Sequence, residues 1–255
     1  MDNIEFISIA KYELISSTIT TQKTMTKITL NKDFKKGLVE LNNFSHCIIF
    51  THNKESIFCY ETKVLEVNVT SGELLINETT IQGEIIDIKP CLPCEDRVKA
   101  IIKKQQPVSI PFNGNFIGEY LFKNNTAIIQ FHESKSLTSK EIQATLELIK
   151  KGDYVRILWY FHKFDKKEYR NICMCTPPYE NAPKSGVFAT RSPVRPNPIA
   201  STVVKVEDVH KNNHQIKVCG FDGFENTMIL QVMSYNSSYD NIKVPKWAEH
   251  FTEHK

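Results

Sequence analysis

The sequence contains no long apolar run and only a small excess of charge. No segment approaches the roughly 18 apolar residues of a membrane-spanning helix, and the first residues, MDNIEFISIAKYE, carry charges where a secretion signal needs an apolar stretch. These absences predict a soluble, cytoplasmic protein with no membrane partner. The formal net charge of +3 does not demand a nucleic-acid partner but is compatible with one.

The cysteines give little indication of disulfides or of a metal site. The chain has seven, an odd number in a sequence without a secretion signal, so free thiols in a reducing compartment are the simplest interpretation. Two close pairs exist, Cys91 with Cys94 and Cys173 with Cys175. A CxC pair is not typical of a ribbon-type zinc site, and the two pairs lie far apart in sequence. The sequence therefore predicts no metal.

Most apolar residues lie in short runs that are rich in β-branched and aromatic side chains and are broken by Asn, Gly and Lys. The runs are MTKITL, HCIIFT, KVLEVNV, EIIDIK, AIIQF, YVRILWYFH, VFAT, STVVKV, QIKVCG and MILQVMS. So many short strands favour a mainly β fold with an all-β core or barrel and a few short helices.

Helical periodicity is limited to a few segments. In residues 136–153, Thr138 or Ser139 can cap a helix that Gly152 ends. The apolar residues that share one face of this helix are Ile142, Leu146 and Ile149. A shorter helix is predicted over residues 95–104.

The polar, proline-containing stretch KKQQPVSIPFNGN predicts a domain boundary near residue 107. We expect a first half over residues 1–106, a second half over 107–245 and a C-terminal tail over 246–255. Both halves contain an apolar strand ending in His, HCIIFTH and RILWYFH, followed later by a strand pair. This repeated plan indicates a duplication.

The stretch RSPVRPNP, residues 191–198, packs two arginines and three prolines into one segment, called the arginine loop below. Ser192, Arg195 and Asn197 each precede a proline, which favours extended backbone. A stiff loop holds its two guanidinium groups at little further entropy cost, which suits an anion site. The alternative is a proline-rich connection whose arginines face water. The flanking runs GVF and IASTVVKV predict a strand on each side.

Three segments carry a resemblance to a known family. GVFATRSPVRPNPI resembles over its whole length the signature of the TrmO family (TsaA-like or YaeB-like), which are S-adenosylmethionine-dependent tRNA methyltransferases. GEIIDIKPCLP resembles the family segment DIKPYLPY, and FKKGLVELNNFSHCIIFTH resembles its entry strand. The family has both signatures in one domain, with the arginine loop first. Here DIKP lies in the first half and the arginine loop lies in the second.

We interpret this order as two tandem TrmO-like β-barrel domains, arranged as an intrachain pseudo-dimer, each lacking the signature that the other keeps. Family members are homodimers with sites near the subunit contact, so the resemblance implies a monomer with one composite site. In the second half, the DIKPY position reads QVMSY, residues 231–235. Cys91, Cys94 and Ala200 replace two Tyr and one Gly of the family pattern.

The resemblance implies S-adenosylmethionine as cofactor, tRNA as partner and N6 of a threonylcarbamoyl-modified adenosine as methyl acceptor. The catalytic candidates are Lys89, Asp87 and Arg195. The cofactor-binding candidates are Phe188, Ala189, Thr190, Arg191, Ser192, Pro196 and Asn197. Lys89 is also expected to meet the substrate carboxylate, together with His162, whose alternative role is that of a core histidine.

Other functions remain open at this point. The low net charge and the family segments that are not recognisable here also fit a methyltransferase for a small molecule or another non-tRNA substrate. A non-catalytic sensor that only binds S-adenosylmethionine is a third possibility. Local basic residues upstream of the loop form either a solvated face or a phosphate-binding patch. They are Lys150, Lys151, Arg156, Lys163, Lys166, Lys167 and Arg170.

Overall fold

A computed structural model describes residues 6–16, 24–53, 56–78, 80–92, 109–115, 126–133, 137–179, 181–235 and 245–247. These residues are mainly β-strand with few helices, as the sequence predicts. The strands are β1 (Ala10–Ser16), β2 (Thr24–Leu30), β3 (His46–His52), β4 (Ile57–Asn68), β5 (Glu73–Ile76), β6 (Glu84–Pro90), β7 (Ser109–Asn115), β8 (Thr126–Gln130), β9 (Tyr154–Tyr160), β10 (Met174–Cys175), β11 (Ser185–Gly186), β12 (Ile199–His210), β13 (Gln215–Cys219) and β14 (Met228–Ser234). The α-helix α1 covers Ser139–Leu146, and 3-10 helices cover Lys32–Leu38, Leu41–Asn43, His162–Phe164, Lys167–Tyr169, Val187–Ala189 and Lys211–Asn213.

The first six strands form a closed barrel in the order β1-β2-β5-β4-β3-β6. Side chains alternate between the two faces of a strand. On β3 and β6, the paired residues Ile49 and Ile88 face the hydrophobic core. Their neighbours therefore lie on the opposite face, where Ile48 pairs with Lys89 and Phe50 with Asp87.

The second six-stranded sheet has the order β7-β14-β9-β12-β13-β8. Taken as a cycle, this is the order of the first barrel, with β7 in the place of β1 and β8 in the place of β2. The sheets also share a register shift. It lies between Phe50 and Thr51 where β3 meets β6, and between Ile229 and Gln231 where β14 meets β9. The shared order agrees with a duplication, which stays a prediction.

The chain divides into two compact units that interleave in sequence. The first unit is drawn from residues 1–97, 164–198 and 239–255, and the second from residues 98–163 and 199–238. The expected halves divide the chain differently, because residues 164–198 belong to the unit that contains the N-terminal barrel. The predicted boundary at residue 107, the predicted helix over 95–104 and most of the tail lie outside the described residues.

Helix α1 forms where the sequence predicts it, but it is shorter. Thr138 caps it in a capping box with Glu141, and its apolar face includes Ile142 and Leu146. It ends at Leu146, before Gly152, because the last carbonyls are already met by turn hydrogen bonds. Within the described ranges, no helix combines the length and the apolar character needed to cross a bilayer.

The strand predicted over VFAT is wrong. Gly186 ends the two-residue strand β11, and Val187–Ala189 form a 3-10 helix. Both the backbone N–H and the hydroxyl of Thr190 donate to the Val187 carbonyl, which closes this turn. The arginine loop therefore lies between a 3-10 turn, which precedes it, and strand β12, which follows it.

Candidate functional site

Arg195, in the arginine loop, is buried with 1% of its surface exposed. Its Nε and Nη2 donate to Asp87 Oδ1 at 3.1 and 2.5 Å, and Nη2 also donates to the Ile88 carbonyl at 2.7 Å. Its Nη1 donates to the carbonyls of Thr190 and Ser192 at 3.2 and 3.3 Å. These bonds use all five N–H donors of the guanidinium. Arg195 therefore fixes the shape of the loop and its position against β6.

Lys89 is buried beside the same carboxylate. Its Nζ lies 3.0 Å from Asp87 Oδ2 and 5.8 Å from the centre of the Phe50 ring. Apart from Asp87, the described residues offer Nζ no hydrogen-bond acceptor. Burial, followed by the charge of Arg195, lowers the pKa of Lys89 well below its usual range, against the opposing effect of Asp87. One carboxylate faces two buried basic groups, so a neutral amine or a bound anion would balance the charge.

Asn197, near the end of the arginine loop, connects the loop to two other segments of the first unit. Its amide oxygen accepts from the Ile7 backbone N–H at 2.9 Å, and its amide nitrogen donates to the carbonyls of Ile7 and Ile86 at 2.7 and 2.6 Å. The Pro196 carbonyl accepts from Arg170 Nη1 at 3.4 Å. Asn197 and Pro196, which the sequence assigns to the cofactor, make these contacts with the protein itself.

A cleft of about 200 Å³ lies beside the loop, within the first unit. Its lining includes four of the predicted cofactor-binding residues, Ala189, Thr190, Arg191 and Ser192. Arg191 donates from Nε and Nη2 to the Pro90 carbonyl at 3.1 and 2.8 Å, which ties the loop to the end of DIKP. Backbone groups, a hydroxyl and a guanidinium thus border a largely apolar space.

The aromatic walls of the cleft were not predicted. Phe44, Tyr179 and Trp247 line it, together with Leu92 and two prolines, Pro177 and Pro178. Phe44 and Trp247 meet edge to face, with ring centres 6.0 Å apart and planes at 79°. Trp247 lies in the segment that the sequence predicts to be a tail. The only signal in the sequence for these walls is the aromatic and proline content of PKW and TPPY.

Phe188 lies in the core of the first unit and is fully buried. Its ring covers Gly37, where an added Cβ would overlap the ring. At Gly186 an added Cβ would overlap the carbonyl oxygen of Gly37. These close approaches seat the start of the loop on the 3-10 helix Lys32–Leu38.

His162 belongs to the second unit, whereas the other predicted site residues belong to the first. Its Nδ1 lies 3.1 Å from Thr227 Oγ1, and its ring meets Phe224 edge to face at 6.3 Å. Burial, followed by the charge of Lys163, lowers the pKa of His162.

One member of the predicted basic cluster does not lie on a solvated face. Arg156 is 2% exposed, donates to Ser201 Oγ at 3.0 Å and lies over the Tyr235 ring. Because Arg156 is buried on a face of the sheet, its guanidinium does not contribute to a phosphate-binding patch. Arg170 is held by an ion pair of 2.7 Å with Asp165.

Among the residues that the structure describes, no group of three or more His, Cys, Asp or Glu side chains could hold a metal. Cys91 and Cys173 are buried and form no disulfide, and Cys175 is half-buried with its sulfur 3.4 Å from Thr190 Oγ1. Burial raises the pKa of the Cys173 thiol. Cys94 lies outside the described residues.

The sequence is similar to one protein family and to several individual proteins. The family described as tRNA-methyltransferase O N-terminal domain matches residues 120–241, which include the arginine loop but not Asp87 or Lys89. A probable S-adenosyl-L-methionine-binding protein of Methanocaldococcus jannaschii is 38% identical over 100 residues, which cover 39% of this chain and 78% of that protein.

Two further proteins are more distant or less well covered. A tRNA (adenine(37)-N6)-methyltransferase of Rattus norvegicus is 37% identical over 101 residues, 40% of this chain and 22% of that protein. The crystal structure of TrmO from Pseudomonas aeruginosa aligns with 53% of this chain and 57% of its own at 19% identity, with a TM-score of 0.32 that is too low for a comparison of sites. The family match and the archaeal relative, taken with the arginine-loop signature, show that the chain belongs to the TrmO-like family.

Proposed function

We propose that this protein is an S-adenosylmethionine-dependent methyltransferase that acts on N6 of a threonylcarbamoyl-modified adenosine in tRNA. The observation that carries the proposal is the junction of the two signatures: Arg195 of the arginine loop is bonded to Asp87, and Arg191 to Pro90, beside one cleft. The archaeal relative is named for S-adenosyl-L-methionine binding, and the rat relative for methylation of adenine 37 in tRNA.

The residues that line the cleft are of the chemical types that bind the parts of S-adenosylmethionine. The apolar and aromatic walls suit an adenosyl group, and the guanidinium of Arg191 suits a carboxylate. When bound, S-adenosylmethionine supplies a methyl group on a sulfonium, which is already a good leaving group. The protein then has to orient the reactants and exclude water. A loop fixed by Arg195 and Asn197 is suited to orientation because it needs little ordering when the ligand binds.

The three catalytic candidates take different parts in this proposal. Arg195 and Asp87 act as positioning residues, because their charges are engaged with each other and with the loop backbone. Of the two basic candidates, Arg195 has all its donors engaged, whereas the Lys89 amine has spare hydrogen-bond donors within the described residues. We assign Lys89 to the substrate side, where its amine meets the substrate carboxylate or accepts the proton that leaves N6.

The site is assembled from both halves of the sequence, so we propose one site per chain and a monomer in solution. Because the arginine loop and strand β6 belong to one chain, their contact is intramolecular and needs no second subunit. Calorimetry with S-adenosylhomocysteine should give one site per chain. Two sites, or a mass in solution twice that of the chain, would contradict this part of the proposal.

The decisive experiment compares tRNA nucleosides by mass spectrometry from cells with and without the protein. The expected result is loss of the N6-methylated form of the threonylcarbamoyl nucleoside, restored by the parent gene and not by a Lys89→Ala variant. Unchanged tRNA with intact cofactor binding would instead favour another substrate. Binding without turnover on any acceptor would favour a sensor.

The cofactor assignment has its own test. Loss of one charge-assisted bond costs roughly 1.5 to 3 kcal/mol, about ten- to a hundredfold in affinity. Arg191→Ala should weaken S-adenosylhomocysteine binding by this factor. The matched control is Lys184→Ala, an exposed cation of the preceding segment that does not line the cleft. Equal binding by Arg191→Ala and the parent would assign the loop a purely structural role.

A further inference from the structure

We propose that Trp247 is an adenine-stacking residue of this cleft, supplied by a segment beyond the region that the family profile matches. The inference rests on the proposed function, because it takes the adenosyl group of S-adenosylmethionine as the occupant. The profile ends at residue 241, six residues before Trp247. The indole nevertheless lines the same cleft as Thr190 and Arg191.

The indole is held in place by the barrel. Trp247 is half-buried and packs against the hydrophobic core of the first unit. The Phe44 ring meets it edge to face at 6.0 Å and 79°, and Phe44 itself is only 2% exposed. A perpendicular contact with a fixed ring restricts how the indole can turn. Trp247 therefore presents a pre-positioned aromatic surface to the cleft.

The composition of the cleft favours a flat, heteroaromatic occupant. Besides Trp247, the lining includes Phe44, Tyr179, Leu92 and prolines, with Arg191 as the charged group and Thr176, Thr190 and Ser192 as polar residues. Purine rings bind by stacking on aromatic side chains, and a methionine moiety needs polar donors instead. The aromatic wall therefore suits the adenine, and the side with Arg191 suits the amino-acid end of the ligand.

Substitution at Trp247 tests this assignment by calorimetry with S-adenosylhomocysteine. Loss of one stacking contact should weaken binding roughly ten- to a hundredfold in Trp247→Leu, which keeps apolar bulk but removes the ring, and much less in Trp247→Phe. The matched control is Phe224→Leu, which removes an exposed aromatic ring of the second unit and should change nothing. Equal affinity of Trp247→Leu and the parent would overturn the inference.

Fluorine NMR gives a readout that does not depend on a folded Trp247→Leu variant. The chain has two tryptophans, and Trp159 is buried in the core of the second unit, where its Nε1 donates to Thr202. In 5-fluorotryptophan-labelled protein, Trp247→Phe assigns the two resonances. Adenosine and S-adenosylhomocysteine should shift the Trp247 resonance, whereas methionine alone should not.

The outcomes separate the two proposals. If the parent does not bind S-adenosylhomocysteine, the proposed cofactor site fails. If the parent binds but the Trp247 resonance does not move, only the stacking role fails. A shift produced by methionine and not by adenosine would assign the aromatic wall to the other end of the ligand and would also overturn the inference.

Discussion

The two six-stranded sheets have the same strand order but different residues at corresponding positions. The shared register shift aligns Asp87, opposite Phe50, with Gln231, opposite Leu158. Two residues further along, Lys89 aligns with Met233. The first sheet therefore has a buried carboxylate and amine where the second has a neutral amide and a thioether.

This difference in charge between the two sheets is explained by where the arginine loop packs. Strands β3 and β4 of the first sheet are joined by residues 53–56, whereas β9 and β12 of the second are joined by residues 161–198, which carry the loop. Most of this long connection belongs to the first unit, where Arg195 meets Asp87. A buried carboxylate without a cation is costly. The charged pair is thus found on the sheet where the loop supplies a guanidinium.

Removal of Arg195 should have the largest effect on stability. Arg195→Ala leaves Asp87 buried with Lys89 as its ion-pair partner and removes five hydrogen bonds, three to β6 and two within the loop region, so we expect the free energy of unfolding to fall by about 3 to 5 kcal/mol. Gln231→Leu, at the corresponding neutral position, should cost about 1 to 2 kcal/mol. Denaturant unfolding measures both. Similar losses in the two variants would show that the sheets do not differ in this way.

The close approach at Gly186 should give the next largest effect. An added Cβ would overlap the Gly37 carbonyl, which is backbone and cannot rotate away. We expect Gly186→Ala to lower the free energy of unfolding by about 1 to 3 kcal/mol. In the second unit, Gly223→Ala meets side chains, those of Phe221 and Thr227, which can adjust. Gly223→Ala should therefore lower the free energy of unfolding by less than Gly186→Ala does. If thermal unfolding shows the larger loss in Gly223→Ala, the role assigned to Gly186 is contradicted.

Local patterns in the sequence were enough for much of the fold. Short runs of β-branched and aromatic residues predict β3, β6 and β9, and the Thr138 capping signal locates α1, because these features depend on neighbouring residues. The strand predicted over VFAT is wrong, because its β-branched and aromatic residues are buried in a 3-10 turn by a glycine contact distant in sequence. Local propensity cannot report such a contact.

The contacts of the candidate site follow from the sequence only where a signature marks them. The sequence grouped Asp87, Lys89, Arg191 and Arg195 in one pocket, and the structure brings DIKP and the arginine loop into contact. It did not identify the aromatic walls, because Phe44 and Trp247 are separated by most of the chain and carry no shared motif. Nor could it show that residues 164–198 belong to the unit of the N-terminal barrel, which is decided by long-range packing.

Lys89 should make stability depend on pH. The pKa of Lys89 is lowered in the folded protein, whereas a lysine in the unfolded chain titrates at about 10.4. Between these values the unfolded chain binds a proton that the folded chain lacks, so the stability of the parent rises with pH. Lys89→Met removes this rise and should stabilise the protein at neutral pH by about 1 kcal/mol.

The measurement is thermal unfolding of Lys89→Met and the parent from pH 7 to 10. The gain in stability should shrink as pH increases toward the unfolded pKa. A pH-independent difference would show that the amine of Lys89 stays charged in the folded state. Met233→Lys, at the aligned position of the second sheet, should destabilise, because no carboxylate occupies the position of Asp87 there.

The smallest expected effects concern the histidines that end the repeated motif, and they sharpen the same comparison. His52 closes β3, whereas His162 lies two residues beyond β9, so the register aligns His52 with Tyr160. Burial lowers the pKa of both rings. The nearby charges differ in sign, because Glu84 opposes the shift at His52 and Lys163 adds to it at His162.

NMR titration of the two rings tests this difference. Glu84→Gln should lower the pKa of His52, and Lys163→Ala should raise that of His162, with little change in stability since both charges are near the surface. The Thr227 hydroxyl donates to the Tyr160 carbonyl, so its oxygen accepts from His162 and the neutral ring carries its proton on Nδ1. Nitrogen shifts that place the proton on Nε2 would show that the Thr227 contact does not form in solution.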